Sequence, residues 1–68
     1  MTMKYKIEIW RYHALVDKYE SETIEDIKSW FYNSDWKWTY ELGDCCFYVY
    51  EQETEMCFEE LNKYGFYD

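Results

Sequence analysis

Tyr5, Ile7 and Ile9 alternate with Lys6, Glu8 and Trp10, and this period of two is what most limits the folds open to the chain. A strand with one apolar face needs a neighbouring strand at its edge and an apolar layer over that face. Both can be found nearby. A second strand can run from Ala14 to Glu20 after a reversal at Tyr12-His13, a turn without the Gly or Asn that two-residue hairpins favour, so its register stays open. Thr23 then stands as an N-cap three residues before Asp26, and Ile24, Ile27, Trp30 and Phe31 follow at helical spacing, which predicts a helix over residues 24–33.

Asn33-Ser34-Asp35 breaks that helix, and Trp36, Trp38, Tyr40 and Leu42 then alternate with Lys37, Thr39 and Glu41, the pattern of a third strand. Gly43-Asp44 turns the chain into a fourth, with Cys45, Phe47 and Val49 on one face and Cys46, Tyr48 and Tyr50 on the other. Thr54 can cap a last helix that turns Phe58, Leu61 and Tyr64 inward, and Gly65 sits where a C′ glycine lets Phe66 pack back on Leu61. The order is ββαββα. It predicts one α+β domain over residues 1–68, a two-layer sandwich whose four-stranded antiparallel sheet carries two helices on one face. Tyr19-Glu20-Ser21-Glu22-Thr23 and Tyr50-Glu51-Gln52-Glu53-Thr54 match at four of five positions, 31 residues apart, as a duplicated ββα unit requires. An acid-rich chain with two hairpins and two caps produces the same similarity without duplication.

A chain of 68 residues buries only about 60% of its unfolded surface and is marginal without a dense core. Four Trp, nine Tyr and four Phe provide one, at roughly 150–250 Å² of buried surface per ring. On the expected sheet Tyr5, Ile7, Ile9, Val16, Trp38, Phe47 and Val49 face the helices, and Trp10, Tyr12, Tyr19, Tyr48 and Tyr50 face away beside Lys6 and Lys37. Such an outward aromatic face is either ordinary cross-strand pairing or a contact surface, since Tyr and Trp dominate interface hot spots. As a stacking platform for single-stranded nucleic acid it lacks the basic groove.

Little here suggests catalysis. His13 is the only histidine, and Cys45, Cys46 and Cys57 lie in a strand and a helix with no evident reason to approach it, so the thiols are expected to be small buried hydrophobes. No zinc-ligand spacing, calcium loop or glycine-rich phosphate loop occurs, so neither a metal nor another cofactor is expected, and no catalytic residue is assigned. The carboxylate pairs around Glu22, Glu25 and Asp26 and around Glu53 and Glu55 fall at helix starts, where the helix dipole favours negative charge. Three cysteines, two of them adjacent, make no disulfide framework and point to a reducing cytoplasm.

Fifteen acids against seven bases give a net charge of -8, at the upper edge of what solubility alone needs. Residues 1–19 hold Lys4, Lys6, Arg11 and Lys18 against Glu8 and Asp17, while the remainder holds thirteen acids against Lys28, Lys37 and Lys63. These acids gather in the two expected helices and the segments leading into them, so helices side by side on the sheet present one acidic ridge; it offers spaced negative charge to a surface that ordinarily holds phosphates, and argues against an anionic membrane or nucleic acid as direct partner. In size, acidity and aromatic content the chain resembles the small acidic inhibitors that bacteriophages and mobile elements use against host nucleases, restriction systems and CRISPR effectors. No motif carries that resemblance, so no family residues transfer. It implies a binding protein and no enzyme, directed at a basic, nucleic-acid-processing host protein. Glu22, Glu25, Asp26, Glu55, Glu59 and Glu60 are the acidic contact candidates and Trp10, Tyr48 and Tyr50 the aromatic ones. The alternative is a homodimer or regulatory module joined through the aromatic sheet face.

Overall fold

The computed structural model describes residues 3–67, and residues 1, 2 and 68 of the expected domain lie outside the described residues. Strands β1 (Tyr5–Arg11) and β2 (Ala14–Ser21) lead into helices α1 (Ile24–Asn33) and α2 (Asp35–Glu41). Strands β3 (Cys46–Glu51) and β4 (Thr54–Glu55) follow, and helix α3 (Phe58–Lys63) comes last. The strands form one antiparallel sheet in the order β2-β1-β3-β4, so the first strand is central. The α+β class and the four-stranded antiparallel sheet with helices packed on it are as the sequence predicts.

One apolar layer joins sheet and helices. Tyr5, Ile7, Ile9, Phe47 and Val49 from the sheet meet Ile24, Ile27 and Phe31 of α1, with Met56, Leu61 and Phe66 closing the layer from the C-terminal segment. Phe31 is fully buried, with its ring centroid 4.6 Å from that of Phe47 and within 6.5 Å of those of Tyr32, Tyr40 and Phe66. Thr23 caps α1 as expected, its hydroxyl accepting from the Asp26 amide at 3.2 Å.

The predicted third strand, Trp36–Leu42, is instead α2. Alternation of four bulky side chains also fits a helix in which residues four apart share a face. Trp36 and Tyr40 pack against the core while Trp38 and Leu42, 66% and 61% exposed, point away. Ser34 decides the outcome locally: its hydroxyl donates to the Phe31 carbonyl, closing α1, and accepts from the Trp36 amide, opening α2. The fourth strand of the sheet comes from Thr54–Glu55.

Thr54 is therefore a strand residue and not a cap, and α3 begins after Cys57, which makes no side-chain capping bond. Six residues are too few for three inward side chains: Leu61 is buried, while Phe58 is 62% exposed and Tyr64 also lies open to solvent. Gly65 does adopt a left-handed φ of 84°, and the Phe66 amide returns to the Leu61 carbonyl at 3.1 Å. The 31-residue similarity does not relate equivalent elements, since Thr23 caps a helix where Thr54 sits in a strand, and Ile7 of β1 would align with Trp38 of α2.

Both tight hairpins turn without glycine. Tyr12 and His13 have φ of 53° and 64°, and Gln52 and Glu53 have 50° and 71°. The left-handed region costs an L-residue roughly 1–2 kcal/mol. Two outcomes follow. Replacing Gln52-Glu53 by Asn-Gly is expected to raise the urea midpoint, by an amount equivalent to about 1 kcal/mol or more. Phe31→Ala is expected to cost about 3–5 kcal/mol, much of the stability of so small a domain, and to abolish cooperative thermal unfolding.

Candidate functional site

Residues directly opposite each other in an antiparallel pair share a face. Lys6, Glu8 and Trp10 of β1 therefore look away from the helices together with Tyr48 and Tyr50 of β3 and Lys18 and Glu20 of β2. Of the residues expected on this face, Lys37 lies in α2 and Tyr12 in the β1–β2 turn, and Tyr19 and the inward-expected Val16 are also displaced. Tyr19 pairs with Ile7 and so faces the helices, where its ring stacks on Trp30 with centroids 5.1 Å apart. Val16 is exposed at a β-bulge, where the register shifts between Ile9 and Trp10 and leaves it without a partner on β1.

Trp10, Tyr48 and Tyr50 do share this open face, but its centre is already wired. The Trp10 indole donates to Glu8 at 3.0 Å, the Lys6 ammonium lies 3.2 Å from the same carboxylate, and that ammonium also sits 5.0 Å from the Tyr50 ring centroid. Burial pushes the Glu8 carboxyl up, but the Trp10 and Lys6 hydrogen bonds and the Lys6 charge outweigh it and hold Glu8 below the ordinary carboxylate range. Burial and the nearby Glu8 and Glu55 carboxylates push the Tyr50 phenol up. At Tyr48 the Cys46 thiol, 3.7 Å from the hydroxyl, has the same effect. Tyr48, at 38% exposure, is the most open of the three rings.

The acidic candidates assemble differently from the expected ridge along two helices. Ser21 and Glu51 both lie opposite Tyr5, so the end of β2 and the end of β3 flank the start of β1. With strands ~4.8 Å apart, these two chain segments run about 10 Å from each other. Glu20 and Glu22 stand on one side, and Glu51, Glu53 and Glu55 on the other. Glu25 and Asp26 in the first turn of α1 follow directly, and Glu60 of α3 lines a common hollow with Glu51 and Glu55. The acids thus crown one pole of the molecule, with strand ends and turns contributing more of them than helices do.

Not all of these carboxylates are free to meet a partner. Asp26 accepts from the Tyr19 hydroxyl at 2.8 Å, and the Ser21 hydroxyl, then that of Tyr19, holds its pKa below the usual aspartate value. Its first duty is to pin α1 to β2. Glu22 accepts from the Lys4 amide at 3.2 Å, and Glu51 lies 3.9 Å from the Lys4 ammonium. Glu25, Glu55 and Glu59 are exposed, as is Glu60, whose carboxylate accepts from the Cys57 thiol at 3.5 Å.

At the other end of β1 the structure assembles a group that sequence reasoning did not join. Trp10 pairs with Cys46, which brings the Tyr12-His13 turn beside the Gly43–Cys46 loop around a hollow of about 490 Å³. Cys45 and Cys46 thus do approach His13, contrary to expectation, and the thiols are not the buried hydrophobes predicted: Cys46 and Cys57 are exposed and Cys45 is half-buried. The two adjacent thiols point to opposite sides, Cys45 toward the Trp36 carbonyl and Cys46 toward that of Trp10. Only the strand order, with β3 beside β1, creates this neighbourhood.

Among the described residues no group of three or more His, Cys, Asp or Glu is arranged to hold a metal ion, and no helix is long and apolar enough to cross a membrane. Comparison with protein-family models, curated proteins and solved structures returned no match.

The depressed Glu8 carboxyl ties stability to pH. A carboxylate held below its unfolded value of about 4.3 contributes fully above that pH and loses its contribution as pH falls through the lower folded value. Glu8→Gln is expected to cost about 1 kcal/mol at neutral pH and to shrink the drop in urea midpoint between pH 6 and pH 3 relative to the parent.

Proposed function

We propose that this chain is a non-enzymatic acidic binding protein. It works in the cytoplasm by occupying the basic nucleic-acid-binding surface of a host protein, in the manner of phage or mobile-element inhibitors of nucleases, restriction systems or CRISPR effectors. The observation that carries this reading is the acidic pole. Residues 20–26 and 51–60 contribute nine carboxylates and no Lys or Arg, and all nine are exposed except the half-buried Glu51. Lys4 is the cation tied into it, through Glu22 and Glu51. Concentrating like charge at strand ends destabilises the free protein, and a cationic receptor offsets that cost on binding. Glu22, Glu25, Glu55, Glu59 and Glu60 supply the field. Asp26 adds charge while serving the fold.

The test compares the protein with a variant carrying Gln at Glu20, Glu22, Glu53 and Glu55, positions remote from the apolar core. Pull-down from bacterial lysate is expected to recover nucleic-acid-binding proteins that duplex DNA or added salt displaces. Exposed ion pairs are worth roughly 0.2–1 kcal/mol each, so the variant is expected to bind the recovered partner about tenfold more weakly or worse. Partners held equally by the variant and unmoved by salt would overturn the proposal.

A second reading is favoured by one observation, the helix-free sheet face on which Trp10, Tyr48 and Tyr50 gather. Self-association through this face predicts a dimer by light scattering that Tyr48→Ala converts to monomer and that the four Gln substitutions leave intact.

A further inference from the structure

We infer that the hollow between the Tyr12-His13 turn and the Gly43–Cys46 loop is a binding site for a small oxyanion carried on a planar ring, with a phosphate or carboxylate as its acidic group. The inference stands apart from the acidic pole and does not rest on it. Arg11 is the only arginine in a chain with fifteen acids, yet no carboxylate among the described residues pairs with it. Its Nε is buried with no hydrogen-bond partner, and its guanidinium lies 5.1 Å from the Tyr12 ring centroid. A guanidinium presents five donors in a planar fork suited to carboxylate or phosphate, and donors left without acceptors are costly. The hollow that Arg11 lines gives an incoming oxyanion access to the outer edge of that fork.

The rest of the hollow suits the rest of such a ligand. Trp10, Tyr12 and Tyr48 line it and offer ring faces for stacking, and its volume of about 490 Å³ falls in the range of small-molecule sites, roughly 300–1,000 Å³. His13 lines it as a second basic group, and among the described residues Asp44 is the one carboxylate that does.

The strongly negative net charge does not forbid an anion here. From Tyr5 at the acidic pole to Arg11 the chain runs the length of β1, about 20 Å at ~3.3 Å per residue, more than two Debye lengths of about 8 Å at physiological salt. At that range the fields of the pole's exposed carboxylates are largely screened, and local groups decide what binds.

Titration of the full chain by calorimetry and by amide chemical-shift mapping tests this, with adenosine 5′-monophosphate, benzoate, adenosine and inorganic phosphate as probes. Saturable millimolar or tighter binding of the monophosphate or of benzoate is expected, with adenosine and phosphate alone weaker, and with shifts confined to residues 10–13 and 43–48. Binding of only one ring-bearing acid still supports the site and identifies its acid group. Arg11→Gln is expected to weaken that binding about tenfold or more, and Tyr48→Ala to weaken it independently, with unchanged shifts elsewhere certifying the fold. Failure of both ring-bearing acids to saturate, shifts centred elsewhere, or undiminished affinity in Arg11→Gln would overturn the assignment.

Discussion

The ring of Phe31 is the contact on which the rest of the structure depends. It projects from the last turn of α1 onto Phe47 of β3, and Tyr40 of α2 and Phe66 after α3 reach it from two further elements. Four segments distant in sequence are held by one buried side chain. Its position follows from α1 itself, started by Thr23 and ended by Ser34, with Ile24, Ile27 and Phe31 on one stripe. Tyr32 next to it donates to the Gly65 carbonyl, so the same turn of helix also fastens the C-terminal segment. In a domain this small, aromatic burial supplies much of the apolar area that a short chain needs.

Centring the sheet on β1 has an electrostatic result as well as a mechanical one. The strand runs between two unlike ends: acidic segments of β2 and β3 converge at its start, and Arg11 with the Tyr12-His13 turn stands at its finish. The chain is thus polarised along the strand. At one pole like charges crowd an exposed surface, and at the other the Arg11 guanidinium, which pairs with no carboxylate among the described residues, lies beside the Tyr12 ring. The long edge strand β2 is guarded between them: Val16 bulges out, and the Asp17 carboxylate takes the Lys18 amide at 2.8 Å. Such devices discourage edge pairing.

Local signals carried much of the fold. The alternation of Tyr5, Ile7 and Ile9, the cap at Thr23 and the left-handed Gly65 each depend on neighbours a few residues away, and each is where the sequence places it. Trp36 to Leu42 misled because bulky residues spaced by two satisfy both a strand face and, taken in pairs four apart, two helix faces. Thr54 misled because the same side chain serves a cap or a strand, and pairing of Glu51 with Thr54 across a two-residue turn made it a strand. Of the candidate site, the acid-rich segments could be read directly. Their convergence could not, nor could the internal commitments of Asp26 to Tyr19 and of Trp10 to Glu8.

What the sequence determined by itself is composition made local: an aromatic core large enough for its length, an excess of carboxylate in two stretches, a central strand and a well-capped helix. What only the tertiary structure decided is adjacency. Placing β3 beside β1 brought residues 20–22 against residues 51–55 at one end, and Arg11 and His13 against Cys45 and Cys46 at the other. The reason is physical: strand order is set by how buried side chains from distant segments fill one shared volume around Phe31, and no short stretch of chain contains that sum.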